Sequence, residues 1–105
     1  RLGKTKDAEK ILRSAIRAWP LNFQAYDSLA QVQATQGKHE EAIQLFNHAV
    51  QINPNYGPGH LSLAMAYHSL NQEQKSRYHL NRALVLGLQG PVVDQIKSMI
   101  IKTPE

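Results

Sequence analysis

The chain has 105 residues, no cysteine and a formal net charge of +4, which bounds it to one small domain and excludes a disulfide framework or a thiolate metal site. It is 42% hydrophobic and 19% charged, the balance of an ordinary globular domain, and it holds no apolar run near the roughly 20 residues that a transmembrane segment needs. The charge is uneven: Arg1, Lys4, Lys6, Lys10, Arg13 and Arg17 face only Asp7 and Glu9 in the first twenty residues, and the rest of the chain is neutral. No secretory signal opens the sequence, and Arg1 stands in mid-pattern, as expected of a chain cut from a longer one. Nothing in the composition names a compartment.

The first predicted element is a helix from Gly3 to Trp19. Ala8, Ile11, Leu12, Ala15 and Ile16 recur at helical spacing and give it one apolar face. No earlier segment covers that face, so upstream chain, a symmetry mate or a swapped copy is expected to do so. Self-association centred on Ile11, Leu12 and Ile16 is one such expectation. Pro20 ends the helix, because proline lacks the N–H that the ladder needs. Asn22 is placed to cap the next helix, about Phe23 to Gln36. There Tyr26, Leu29, Ala30 and either Val32 or Gln33 repeat at three-to-four spacing.

Gly37 supplies a left-handed residue that stops a helix cheaply. Glu40 and Glu41 then open a third helix, where carboxylates favour the positive end of the peptide dipoles. It runs to about Ile52 with Ala42, Ile43, Phe46, Ala49 and Val50 on one face. Asn53-Pro54-Asn55 repeats the stop-and-cap pattern, and a further helix pair begins near Tyr56. In it Asn71 takes the turn position, which asparagine tolerates, and Ser76 takes a small-residue position. After Gly87, Pro91 suits the first turn of a last helix. Val92, Val93, Ile96, Met99 and Ile100 would form its apolar face, with Ile101 outside the stripe and Lys102 to Glu105 fraying.

These elements repeat. Gly3 and Gly37 lie 34 residues apart, and Ala8, Leu12, Ala15 and Pro20 stand at the same offset from Ala42, Phe46, Ala49 and Pro54. Self-similarity at that period marks a solenoid of helix pairs. The stretch from Tyr26 to Pro54 resembles the tetratricopeptide repeat (TPR) family. Tyr26 stands at the family's aromatic position, Leu29-Ala30 at its Leu-Gly/Ala, and Gly37 at its turn. Ala42, Phe46, Ala49 and Pro54 match its later small, aromatic, small and proline positions. Gln33 departs from the usual tyrosine. In the next unit Leu63, Ala64, Tyr67, Leu80 and Ala83 match, while His60, Asn71, Ser76 and Leu88 depart.

The resemblance implies an all-α fold, an α-solenoid of antiparallel helix pairs wound as a right-handed superhelix with a C-terminal capping helix. Residues 1–105 would form a single domain. Within it, 3–20 is the second helix of a truncated repeat, 22–54 a whole repeat, 56–88 a divergent repeat and 91–102 the cap.

Chemistry is sparse. His39-Glu40 begins a zincin-like pattern, but Ile43 stands where the second histidine should be. His60 and His68 share a helix face at a separation of roughly 12 Å, too far for one metal. His48 and His79 read as isolated. Gly57-Pro58-Gly59 fits neither phosphate-loop spacing. No catalytic residue, metal ligand or cofactor follows, and the chain reads as no enzyme.

Two surfaces remain. Lys6, Lys10, Arg13 and Arg17 line one helix face, read either as a solvated outer face or as a basic patch for an anionic polymer or membrane surface. Trp19 alone gives no stacking platform, which weighs against nucleic acid. The other surface is implied by the family: its concave face is lined by the first helix of each repeat. Here that face carries Gln24, Asp27, Ser28, Gln31 and Ala34, then Pro58, Leu61, Ser62, Met65 and His68, with Asn55 and Tyr56 at the junction.

The resemblance therefore implies a non-catalytic scaffold that binds a protein or peptide partner in this groove, as a fragment of a longer TPR protein. A regulatory arm of an enzyme outside the fragment is an alternative. Asp27, Ser28, Gln31, Pro58 and Ser62 stand where chaperone-binding relatives clamp a C-terminal carboxylate, so acidic tails are expected to bind weakly in the groove. Leu61→Glu or Met65→Glu is expected to weaken the partner without unfolding.

Overall fold

The computed structural model describes residues 2–101; the expected fraying of Lys102 to Glu105 lies outside them. Among the described residues there are six α-helices and no strand: α1 (Leu2–Ala18), α2 (Phe23–Thr35), α3 (His39–Ile52), α4 (Gly57–Ser69), α5 (Glu73–Val85) and α6 (Pro91–Ile101). The chain divides between Pro54 and Asn55 into two compact units. The first holds α1 to α3 and the second α4 to α6.

Helix ends follow the local chemistry. Past Ala18 the Trp19 N–H still donates to the Ala15 carbonyl at 2.8 Å, and Pro20 allows no further step. Asn22 Oδ1 accepts from the Ala25 N–H at 3.3 Å, so it caps α2 as its sequence position requires. Three helices stop in one way. After α2, Lys38 N–H donates to the Gln33 carbonyl and Gly37 N–H to that of Ala34; after α4, Gln72 and Asn71 do the same to Tyr67 and His68; after α5, Leu88 and Gly87 donate to Ala83 and Leu84. Each is a six-to-one and five-to-two pair closed by a left-handed residue. Those residues are Gly37 at φ 81°, Asn71 at φ 61° and Gly87 at φ 95°. Gln36, expected inside α2, is its cap.

In the first unit α2 and α3 form a hairpin. Tyr26, near the start of α2, lies flat against His48, near the end of α3, with ring centroids 4.2 Å apart. The helices therefore run antiparallel. Between them Leu29, Ala30, Ala42, Phe46 and Ala49 lose essentially all contact with solvent. The alanines have a steric role: a methyl group is the largest side chain that fits where two backbones approach. Gln33 rather than Val32 completes the buried face of α2, and its Oε1 has no hydrogen-bond partner. A buried unsatisfied oxygen of this kind costs about 1–3 kcal/mol.

α1 packs on α2. The expected open apolar face is partly closed as a result. Ala8, Leu12, Ala15 and Ile16 are half-buried, and Ile11 alone of that set stays exposed, at 68%. A bridge from the Gln36 side-chain amide to Glu9 Oε2, 2.9 Å long, ties α1 to the end of α2.

In the second unit α4 and α5 pair in the same manner. Ser76, at a small-residue position, is fully buried and donates its hydroxyl to the Ala64 carbonyl at 2.7 Å. α6 closes this hairpin: Ile96 and Ile100 join Ala64 and Leu80 in one cluster, with Leu61 and Leu84 packed against it. Leu88, at the closing-proline position, reaches the start of α4, where a Cβ on Gly57 would stand 3.0 Å from its Cδ1. The buried face of α6 is narrower than its sequence suggests. Val93, Ile96 and Ile100 are buried, whereas Val92 and Met99 lie at the edge of the stripe and are 62% and 42% exposed.

Candidate partner-binding faces

α2 has one face in the core and one outside. Ala25, Tyr26, Leu29, Ala30 and Gln33 take the inner side, so a period of 3.6 residues per turn sends Gln24, Ser28 and Gln31 to the outer side, where all three are exposed. Asp27 and Ala34 flank them, half-buried. This face offers amide and hydroxyl groups, which pair with a peptide backbone as donors and acceptors.

α4 buries more of its circumference: Gly57, Gly59, His60, Leu63, Ala64 and Ala66 all face inward. The outer strip is correspondingly narrow. Pro58 and Met65 are exposed, and Ser62 and His68 are half-buried. Met65, at 42%, is the main apolar side chain there. Leu61 differs from the sequence expectation, because it packs against the Ala64, Leu80, Ile96 and Ile100 cluster. A charge at Leu61 would therefore damage the core of its own unit, so the expected clean effect of Leu61→Glu does not hold. His68 Nδ1 lies 3.2 Å from Glu73 Oε1. Tyr56 is the residue before α4, and its carbonyl accepts from the Gly59 N–H at 3.1 Å; Asn55 is exposed beside it.

Two histidines read as isolated are not. His48 stacks on Tyr26, and His79 Nδ1 stands 3.1 Å from His60 Nδ1. His79 lies at the centre of a ring cluster. It stacks on Tyr67 at 5.6 Å and on His60 at 5.3 Å, meets Tyr78 edge-on at 5.0 Å, and Lys75 Nζ lies 5.6 Å from the Tyr67 ring centroid. One sequence signal pointed here: the repeat offset puts His60 on the Tyr26 position, a site built for a ring. Nothing in the spacing along α5 singled out His79.

Burial, then the neighbouring His60, then Arg82, push the His79 imidazole down to about 4. Its folded pKa thus lies below the ordinary 6.5, and the unfolded chain takes up the proton first. The stabilising contribution is whole above that unfolded value and drains away as pH falls toward the folded one. Thermal melts across this window are expected to show the native chain losing stability faster on acidification than His79→Phe, which keeps a ring on Tyr67 and cannot titrate. Parallel pH curves for the two chains would contradict the assignment.

Among the described residues no group of three or more His, Asp or Glu side chains stands close enough to hold a metal ion. No helix there is long and apolar enough to cross a membrane. The cations Lys6, Lys10, Arg13 and Arg17 are all exposed on α1. Beyond them the α1–α2 connection presents Trp19 and Leu21 at 66% and 77% exposure. An open cavity of about 530 Å³ is lined there by Trp19, Pro20, Leu21, Asn22 and Gln24. Sequence reasoning used Trp19 only as a lone aromatic and gave Leu21 no role.

Known proteins share this helical fold. The structure of MamA aligns at a TM-score of 0.77 and 22% identity, over 81% of this chain and 50% of MamA. The type III secretion translocator chaperone SycD of Yersinia enterocolitica aligns at 0.83 and 16% identity, over 93% of this chain and 70% of SycD. PcrH, in complex with the chaperone binding region of PopD, aligns at 0.77 and 17% identity, over 94% and 74% of the two chains. The present chain thus spans about half the length of MamA. No curated protein sequence matches it. Two tetratricopeptide repeat family models do match, one over residues 1–57 and the other over residues 33–98. Together they cover both helix hairpins and their turns, and the chain belongs to the tetratricopeptide repeat family.

Proposed function

We propose that this chain is a non-catalytic protein-interaction module that binds segments of a partner polypeptide on the outer faces of α2 and α4. The observation that carries the reading is the composition of those two faces. Helices whose other sides are closed by alanine and leucine leave Gln24, Ser28 and Gln31 on α2 and Met65 on α4 open to solvent. The first set can bond a peptide backbone. Met65 can adapt to an apolar side chain, because its thioether stem has three soft torsions.

Asp27, Ser62, His68, Asn55 and Tyr56 border the same faces, with Leu61 supporting them from the core side. A preformed helix hairpin leaves the ordering cost to the partner segment alone. The neighbours lend support of a general kind: SycD has been crystallised with a peptide of the translocator YopD, and PcrH with a region of PopD. At 17% and 14% identity these neighbours speak for the fold alone.

The test is a pair of substitutions that leave both cores alone. Met65→Glu is expected to weaken a captured partner about tenfold or more, roughly 1.4 kcal/mol. Gln31→Ala should give a smaller loss. Circular dichroism should be unchanged in both. Leu61→Glu serves as a contrast, because it should lower the melting temperature as well as the affinity. Unchanged affinity in both Met65→Glu and Gln31→Ala would remove the site from these faces.

A further inference from the structure

The cations of α1 outnumber its two acids, Asp7 and Glu9. Lys6, Lys10, Arg13 and Arg17 are exposed, and among the described residues none of them enters an ion pair. Arg17 reaches only the Ser14 hydroxyl of its own helix, at 3.2 Å. Of the two acids on this helix, Glu9 accepts from the Gln36 side chain at 2.9 Å, and among the described residues neither Glu9 nor Asp7 forms an ion pair with the row. At 1.5 Å per residue the four charges span roughly 16 Å of helix, three turns with one cation or more on each. Directly past the last of them the chain presents Trp19 and Leu21, 66% and 77% exposed, at the open cavity they share with Pro20, Asn22 and Gln24. A charge row in excess of its local acids that ends beside the exposed Trp19 and Leu21 can be answered on both counts by one ligand.

We propose that α1 and the Trp19–Leu21 connection form a second docking surface, for an acidic polypeptide segment that carries a bulky apolar anchor. Carboxylates at helical spacing match the pitch of the row, and the anchor fills the cavity beside Trp19. Charge complementarity of this kind governs encounter rate and register, while the buried anchor holds the complex.

The other anionic candidates fit less of the surface. A nucleic acid strand would use a series of aromatic platforms, and this surface has one ring, Trp19. A membrane would take up the apolar face of an interfacial helix. Here Leu12, Ala15 and Ile16 are half-buried on a helix that packs on α2, and Ile11 is the one residue of that face left exposed, which leaves little of it for acyl chains. The surface shares Gln24 with the outer face of α2 but includes none of Ser28, Gln31 or Met65, so each can fail without the other.

The experiment uses the whole chain and a fluorescein-labelled synthetic peptide. The peptide carries glutamates on one helical face and a single leucine one turn beyond them. Fluorescence anisotropy should show saturable binding that weakens as salt is added. Arg13→Glu combined with Arg17→Glu should weaken it by about tenfold or more, and Leu21→Ser by about fivefold. A peptide with serine in place of the leucine should bind as weakly to the native chain as the original does to Leu21→Ser. Met65→Glu should leave the affinity unchanged.

All these positions are exposed, and circular dichroism spectra matching the native chain are the check that the variants fold. Absence of binding overturns the proposal. So does equal binding of the leucine-free peptide, which would reduce the surface to unselective charge. Tighter binding of single-stranded RNA, or of phosphatidylserine vesicles, with the same dependence on Arg13 and Arg17, would assign the row to nucleic acid or to a membrane and overturn it as well.

Discussion

Truncation of Phe46 to alanine is expected to destabilise the first unit by about 3–5 kcal/mol, the cost of removing a large buried ring and leaving a cavity behind. Phe46 is 2% exposed, and its neighbours on the inner face of α3, Ala42 and Ala49, are at 0%. Alanines cannot swing inward to refill the space, so little relaxation is available. A unit of this size has only a few kcal/mol of stability to lose. Amide hydrogen exchange in α2 and α3 should therefore approach that of an unfolded chain in Phe46→Ala. α4 and α5 belong to the other compact unit, and their protection should change far less. Slow exchange in α2 and α3 of the variant would show that Phe46 does not hold the hairpin.

Ala49→Leu tests the opposite error, too much volume. Ala49 has no exposed surface, and three added carbons have nowhere to go unless α2 and α3 separate. The expected loss is about 1–3 kcal/mol or somewhat more, with broadened thermal unfolding if the helices remain but no longer nest. Leucine at Gln44, exposed on the same helix, is the control and should change stability by less than about 0.5 kcal/mol. An Ala49→Leu protein that melts like the native chain would mean that helix approach is not set by small side chains.

Much of this fold was legible before any coordinates. The turn positions carry their own chemistry: Gly37 and Asn71 both take positive φ, and they stand 34 residues apart at the turn of successive repeats. Asn22 and Pro91 mark helix starts for equally local reasons. The small residues Ala30, Ala42 and Ala49 stood out because they repeat in register with Phe46 and Tyr26, and all five are buried.

What was not legible depends on neighbours. Periodicity shows where an apolar face lies and leaves its covered width open. Val92 and Met99 share the stripe of α6 yet fall outside its contact, while Leu61 was placed on an outer face and packs inward. The His60–His79 contact joins two helices across a hairpin. Neither residue marks it in its own segment, since a histidine facing solvent and one facing another imidazole have the same local sequence. The open cavity beside Trp19 was missed because an exposed loop leucine carries no pattern at all.

In the proposed function, closed helix hairpins leave the outer faces of α2 and α4 to a partner polypeptide. The most direct measurement replaces Gln31, Met65 or Arg77 singly with a photo-reactive amino acid in the whole chain and maps the crosslinks formed in cell extract. Arg77 is the control, exposed on α5. Crosslinks from positions 31 and 65 to one and the same polypeptide, lost when Met65→Glu is introduced beside the probe at 31, are the predicted result. Crosslinks confined to position 77, or a pattern at 31 and 65 indifferent to Met65→Glu, would contradict it.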